Sequence, residues 1–473
     1  MQKRDADMVV LGGGPGGYTA AFRAADLGRS VILIEKQKTL GGVCLNVGCI
    51  PSKSLLHITE VMHDVTQIAA TGITYGDPDI DLDAVRNHKK QTVSQLTDGL
   101  DGMCKARKIE RIEGTGALVS DSVLEVETAD GKVAYTFKDL IIAVGSRPAR
   151  IPGIPYEDSR IWDSTRALEL PEIPRHLVVI GGGIIGLEMA AIYHGLGSEI
   201  TIVEMTDSII PPADKALKQP LLKKIKAEYR AIYTSTKVTG VDADKSHLVI
   251  HLEGNKVPDS IEADAVLVAV GRKANSDTIG IEHTSIQMNE RSWIITNDQQ
   301  QTAASHIYAI GDVTGDPMLA HRAAHQGKVA AEVASGLPAA FTPMSVPSVA
   351  YTQPEIAWIG LTEEEAKKQN IPVMKGSMPW LASGRALSEL ATEGVTRALF
   401  DPDTGRLLGA GVTGKHAGEL IGEALLALEM GAVAEDIALT VHPHPTLSET
   451  FAVASELALG VATDMVNKSS KGQ

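Results

Sequence analysis

Val9-Val10-Leu11-Gly12-Gly13-Gly14-Pro15-Gly16-Gly17 runs from three branched apolar residues into glycines spaced G-x-G-x-x-G. An alanine-rich, helix-compatible stretch follows to Leu27-Gly28, and then a β-branched run that ends in Glu35. The same order returns 169 residues later: Val178-Val179-Ile180, Gly181 to Gly186, a helix-compatible stretch ending at Leu196-Gly197, and a run closing just before Glu204. In both copies the acid stands 23 residues after the first glycine. Strand, glycine turn, helix and strand make one β-α-β unit, so the repeat predicts an α/β fold with two Rossmann-like dinucleotide-binding domains.

Working outward, two further runs echo each other. Asp139 to Gly145 (DLIIAVG) and Asp264 to Gly271 (DAVLVAVG) read as buried strands ending in glycine, each with an arginine close behind, Arg147 and Arg272. Leu82 to Lys108 reads as helix, and Ala117 to Phe137 as strands with a hairpin turn at Asp130-Gly131. Ile307-Tyr308-Ala309-Ile310 is another strand, which delivers Gly311 and Asp312 to its end. Prolines at 148, 152, 155, 171 and 174 mark one connector, and those at 338, 343, 347 and 354 a second. From about residue 347 a third, α+β region is expected. It holds a strand near Gly409 to Thr413 and an amphipathic helix carrying Leu420, Ile421, Ala424, Leu425 and Leu428. The polar tail from Asn467 is expected to be loose.

Length and composition narrow the function. At 473 residues there is room for about three domains. The net charge of −15 argues against nucleic acid or anionic lipid as the main partner and favours a basic one. The longest uncharged stretch, Val333 to Pro354, holds four prolines, so no membrane span is expected. Met1 to Met8 carries four charges and runs straight into an apolar strand, which predicts no signal peptide and cytoplasmic residence. With only three cysteines, Cys44, Cys49 and Cys104, the chain is no disulfide-stapled secreted scaffold.

Three motifs carry chemistry. In each glycine loop the backbone and the helix N-terminus are placed for a pyrophosphate, with Glu35 or Glu204 as acceptor for ribose hydroxyls. A carboxylate there repels a 2′-phosphate, so the second copy is expected to prefer NAD over NADP. The second motif is Gly41 to Lys53, GGVCLNVGCIPSK. A disulfide needs Cα atoms within about 7 Å, whereas five extended residues span about 17 Å and a regular helix rises about 7.5 Å. The segment is therefore expected to be a turn or a distorted first helical turn, and a helix N-terminus there is expected to lower thiol pKa. Cys104, alone in a helical stretch, is expected to be an inert buried thiol. No metal site is expected. Third, His442-Pro443-His444-Pro445-Thr446-Leu447-Ser448-Glu449 places a carboxylate five residues past His444, on the helix that follows, where it is able to orient the imidazole.

Taken together, GGVCLNVGCIPSK, IGGGIIGLEMA (180–190), IYAIGD (307–312), MLAHRAAHQGKVAAE (318–332) and HPHPTLSE (442–449) make the chain resemble the dihydrolipoyl dehydrogenases of bacterial type. These are the flavin-containing components of 2-oxo-acid dehydrogenase complexes and of the glycine cleavage system, within the class I pyridine nucleotide-disulfide oxidoreductases. The resemblance covers nearly the whole chain. It implies FAD on the first unit, with Gly12, Gly14, Gly17 and Glu35 at the adenosine-pyrophosphate end, Asp312 on the ribityl-phosphate side and Lys53 near the ring, paired with Glu188. It implies NAD on the second, through Gly181, Gly183, Gly186 and Glu204, and places Gly116, Gly145, Gly271 and Ala320 along the cofactors. Cys44 becomes the sulfur attacked by substrate, Cys49 the sulfur beside the flavin, and His444 the base oriented by Glu449. In this family the last two serve the disulfide of the other subunit of a homodimer.

The implied domains are FAD-binding at 1–149, NAD-binding at 150–274, a second FAD-binding or central part at 275–346 and dimerisation at 347–473. The implied partners are the lipoyl and subunit-binding domains of a dihydrolipoyl acyltransferase and the glycine cleavage H protein. Mercuric reductases carry a further C-terminal cysteine pair that this chain lacks. Glutathione-type reductases use NADPH, and Glu204 stands where arginine is needed. A non-catalytic docking flavoprotein is disfavoured because every redox and base residue is present.

Overall fold

The computed structural model describes residues 2–467. The tail expected to be loose lies, from residue 468, outside the described residues. By contact, the chain parts into two compact units. The first gathers the residues to Ser54, Asp81–Ala149 and Gly271–Thr342; the second gathers Leu55–Ile80, Arg150–Val270 and the chain from Pro343.

In the first unit, parallel strands lie in the order Glu110–Glu113, Val31–Glu35, Gln2–Leu11, Gly131–Ile142 and Ile307–Ala309. The first half of Gly131–Ile142 also carries an antiparallel meander, Thr115–Ser120 and Val123–Thr128, through the turn at Asp130-Gly131. Val9, Val10, Leu33, Ile34, Leu140 and Ile141 are fully buried, which is why these runs read as continuously apolar. Each such side chain contributes about 1.5–3 kcal/mol relative to exposure. Helix Pro15–Asp26 packs on helix Ala320–Ala334 so closely that a Cβ on Gly327 would lie 2.5 Å from the Gly16 carbonyl oxygen. The helix expected near 82 spans Leu82–Ala106, started by Asp81, whose side chain accepts from the Asp83 and Ala84 N–H groups. Cys104 is buried in the apolar cluster that this helix helps to form.

The second unit repeats the pattern. Ala231–Tyr233, Glu199–Val203, His176–Ile180, Ala265–Val268 and Ile161–Trp162 form a parallel sheet, joined to a three-stranded antiparallel sheet, Thr236–Ala243, Leu248–Gly254 and Ser260–Ala263. Further along, Ser348–Ala350, Glu355–Gly360, Leu407–Gly414, Val395–Phe400 and Met374–Pro379 make an antiparallel sheet covered by helices Ala417–Glu429 and Glu449–Leu459. The architecture is α/β with two dinucleotide-type units and an α+β C-terminal region. Among the described residues no helix is long and apolar enough to cross a membrane.

Candidate active site

The two glycine loops have the same geometry. A Cβ on Gly17 would lie 1.8 Å from the Gly12 carbonyl oxygen, and one on Gly186 would lie 2.1 Å from that of Gly181. These glycines are required by the chain's own packing. Gly14 and Gly183 differ: each caps its helix without a side-chain hydrogen bond. A Cβ on Gly183 would meet nothing within 4 Å, and one on Gly14 only the Gly42 Cα at 3.8 Å. An open helix N-terminus of this kind fits the pyrophosphate of a dinucleotide. The acids are fixed alike. Glu35 accepts from the N–H of Gly13 at 2.7 Å and of Gln37 at 2.8 Å, and Glu204 from those of Gly182 at 2.6 Å and Thr206 at 2.7 Å. Both carboxylates are buried; the Thr206 hydroxyl also donates to Glu204 Oε1 at 2.7 Å, so a ribose hydroxyl is able to use either oxygen of Glu35 and Oε2 of Glu204. The residues present therefore fit FAD on one loop and NAD on the other.

The cysteine segment is seated on the first loop. Gly41 N–H donates to the Gly13 carbonyl at 2.8 Å, and a Cβ on Gly42 would lie 2.7 Å from the Gly14 Cα. Helix Gly42–Val47 stops at Gly48, and a new helix, Cys49–Gln67, starts at once. The break supplies the distortion that the reach of a disulfide demands. Cys44 is half-buried, Cys49 is exposed, and their thiols are hydrogen-bonded. The expected fall in thiol pKa does not hold for Cys44, whose thiol is pushed well above its ordinary value. The bond to Cys49 is the largest cause, burial comes next, and only Lys53 works appreciably in the other direction. Cys49 is the first residue of a 19-residue helix, whereas Cys44 is the third of a helix only six residues long. Burial also raises the Tyr18 hydroxyl, with Cys44 and Cys49 as titratable neighbours that add to the rise. Tyr18 therefore stands beside the pair, although no motif singled it out.

Asp312 opens the turn after strand Ile307–Ala309. Ser146 Oγ donates to its carboxylate, Arg272 Nε donates to Ser146 Oγ at 2.7 Å, and the Arg272–Asp312 pair stands at 3.9 Å. Ser146 and Arg272 were missed as site residues, although the arginine after each echoed strand was a visible signal. Gly116 lies on strand Thr115–Ser120, and Ala320 is the first residue of its helix. Gly145 and Gly271 have positive φ and open space at the Cβ position. Lys53 is in the first unit. Glu188, in the second, is buried and accepts from the Tyr351 N–H at 3.1 Å.

His444 and Glu449 are brought together in the second unit. Glu449 Oε1 lies 2.8 Å from His444 Nδ1, and Oε2 accepts from the Thr446 N–H at 2.7 Å. A carboxylate only accepts, so Nδ1 carries the proton and Nε2 is the nitrogen left to take one. Burial works to raise the Glu449 carboxyl, but the Thr446 N–H and the imidazole outweigh it and hold it below the ordinary value. The His444 side chain is 80 % exposed. His442 is tied instead to Glu423 Oε1 and the Thr440 carbonyl. Among the described residues no cluster of three or more His, Cys, Asp or Glu side chains is arranged to hold a metal ion.

The chain is similar to known proteins over nearly its whole length. The family described as pyridine nucleotide-disulphide oxidoreductase matches residues 6–327, and its dimerisation domain matches residues 346–455. A dihydrolipoyl dehydrogenase of Vibrio cholerae is 48% identical over 467 residues, covering 98% of both chains. One from Haemophilus influenzae is 47% identical, covering 98% of this chain and 97% of its own. The flavoprotein disulfide reductase RclA of Escherichia coli superposes with a TM-score of 0.85 at 25% identity, over 95% of this chain and 99% of its own. With both loops, the cysteine pair and the His-Glu pair in place, the chain belongs to the pyridine nucleotide-disulphide oxidoreductase family, in its dihydrolipoyl dehydrogenase branch, whose enzymes work with FAD and NAD.

Proposed function

We propose that the chain oxidises protein-bound dihydrolipoyl groups for a 2-oxo-acid dehydrogenase complex or a glycine cleavage system, as a homodimer in the cytoplasm. The helix break at Gly48 carries this reading, because it sets Cys44 and Cys49 side by side against a phosphate loop. Residues 1–149 and 275–346 are the FAD-binding region, 150–274 the NAD-binding region and 347–473 the dimerisation region. Gly12, Gly14, Gly17, Glu35 and Asp312 hold FAD, and Gly181, Gly183, Gly186 and Glu204 hold NAD. The net charge of −15 suits a basic docking domain on the acyltransferase core.

The first half-reaction is thiol–disulfide exchange. Nε2 of the partner subunit's His444 takes a proton from one dihydrolipoyl thiol, while Glu449 holds the Nδ1 proton and steadies the imidazolium. The thiolate attacks Cys44 Sγ of the oxidised pair; the Cys44–Cys49 bond breaks, and Cys49 leaves as thiolate. The second lipoyl sulfur then displaces Cys44 and closes the lipoyl ring. Two electrons have passed to the cysteine pair, one proton rests on His444, and the other goes to the high-pKa Cys44 thiol. When bound, FAD would supply the two-electron oxidant that restores the disulfide, with NAD as the final hydride acceptor.

Cys44→Ser and Cys49→Ser are each expected to lower NADH formation from dihydrolipoamide by roughly a thousandfold or more, since groups acting as a unit fail together. A stopped-flow assay at 340 nm reads this, and near-normal turnover in either variant overturns the reading.

A further inference from the structure

Trp380, Thr396 and Thr450 are all buried in the second unit. Trp380 Nε1 lies 3.0 Å from Thr396 Oγ1, the two threonine oxygens lie 2.7 Å apart, and Thr450 Oγ1 lies 2.6 Å from the Leu447 carbonyl oxygen. The direction of this chain is fixed by valence. An indole N–H only donates, a carbonyl only accepts, and each hydroxyl has one hydrogen. Thr450 spends its hydrogen on Leu447, so Thr396 donates to Thr450, and Trp380 donates to Thr396. Three hydrogen bonds thus run head to tail out of the sheet, each polarising the next in a dry interior.

Both ends are held. The Trp380 ring fills the space where a Cβ on Gly394 or Gly414 would lie, at 2.6 and 2.2 Å from its atoms. Helix Glu449–Leu459 lies against strand Met374–Pro379 so tightly that a Cβ on Gly376 would sit 1.6 Å from the Ala454 carbonyl oxygen. At the far end, Leu447 stands between His444 and Glu449, in a loop also pinned by Thr446 Oγ1 donating to the Pro443 carbonyl at 2.8 Å. We infer that Trp380, Thr396 and Thr450 are positioning residues: they hold the 443–449 loop so that Nε2 of His444 keeps its aim as the imidazole gains and loses a proton. This rests on His444 being the base of the proposed function.

The test uses the full-length holoenzyme dimer, four single variants, Thr450→Val, Thr450→Ser, Trp380→Phe and His444→Gln, and the double variant that combines Thr450→Val with His444→Gln. Ferricyanide-linked oxidation of NADH, which draws no proton from a thiol, reports how much intact enzyme each preparation contains. Relative to it, kcat/KM for dihydrolipoamide is expected to fall roughly tenfold in Thr450→Val, with the imidazole limb of the pH profile displaced. Thr450→Ser, which keeps the hydroxyl, is expected to restore both. His444→Gln is expected to lose roughly 10²–10⁴-fold, and Thr450→Val to add nothing further on that background. Should Thr450→Val fail to fold, Trp380→Phe removes the first donor of the same chain, together with part of the ring volume, and is read against the same ferricyanide reference. The inference is overturned if the isolated variant matches wild type in rate and pH profile while His444→Gln is impaired, or if both of its reactions fall together. An unimpaired His444→Gln instead overturns the base assignment.

Discussion

In the proposed function Glu204 is the group that sets the coenzyme choice of the second loop, and two backbone N–H groups and the Thr206 hydroxyl hold its carboxylate in place. Glu204→Gln removes the negative charge that repels a 2′-phosphate and leaves one oxygen to serve both N–H groups. The ratio of kcat/KM for NAD over NADP is expected to narrow by roughly tenfold or more, mostly through loss with NAD. Steady-state kinetics with both coenzymes reads this, and an unchanged ratio shows that other groups discriminate. Such residues were legible because their chemistry is local: an acid a fixed distance past a glycine loop is carried there by one β-α-β unit. The Cys44 thiol was misjudged for the opposite reason. Its shift comes first from a neighbouring thiol and then from burial, and only the folded packing reveals the balance.

Among the elements, two helices hold each other's starts. Asp214, before helix Lys215–Glu228, accepts from the Glu363 N–H at 2.8 Å, while Glu364 of helix Glu363–Gln369 accepts from the Lys215 N–H at 3.2 Å. The two carboxyls face each other, and a hydrogen bond between them requires a proton on one. Burial first, and the bond to Glu364 second, push Asp214 up to about 7, while that same bond holds Glu364 below its ordinary value. Lys218 and Arg397 are the nearby cations. A folded pKa raised from 3.8 to about 7 means that the native state keeps a proton the unfolded chain has lost. This contribution is complete below the unfolded value and is lost as pH rises through about 7. Asp214→Asn, whose amide donates and accepts in the same places, is expected to flatten the fall of Tm between about pH 5 and 7. Scanning calorimetry across that range decides it: an unchanged slope places the proton elsewhere. The strands, the long helix and the Asp130-Gly131 hairpin could be read from pattern, since each is fixed by neighbours in sequence. A carboxyl pair 150 residues apart, or a threonine pair 54 apart, has no such signature.

For the whole molecule, the proposed dimer makes a sharper demand than either unit alone. If the base of one subunit serves the disulfide of the other, inactive Cys44→Ser and His444→Gln homodimers that are dissociated and reassociated together form hybrids with one complete site. Random pairing is then expected to recover about a quarter of wild-type turnover. Recovery near zero, with hybrids shown by native mass spectrometry, means that base and disulfide act within one chain. The duplication itself tells the two halves of each glycine motif apart. Gly12 with Gly17, and Gly181 with Gly186, are forced by backbone touching backbone, so selection for folding alone would keep them in a descendant that had abandoned its coenzyme. Gly183 carries no such burden. Across related sequences, drift at that middle position, with its flanking glycines intact, would mark the lineages in which the second loop had fallen silent.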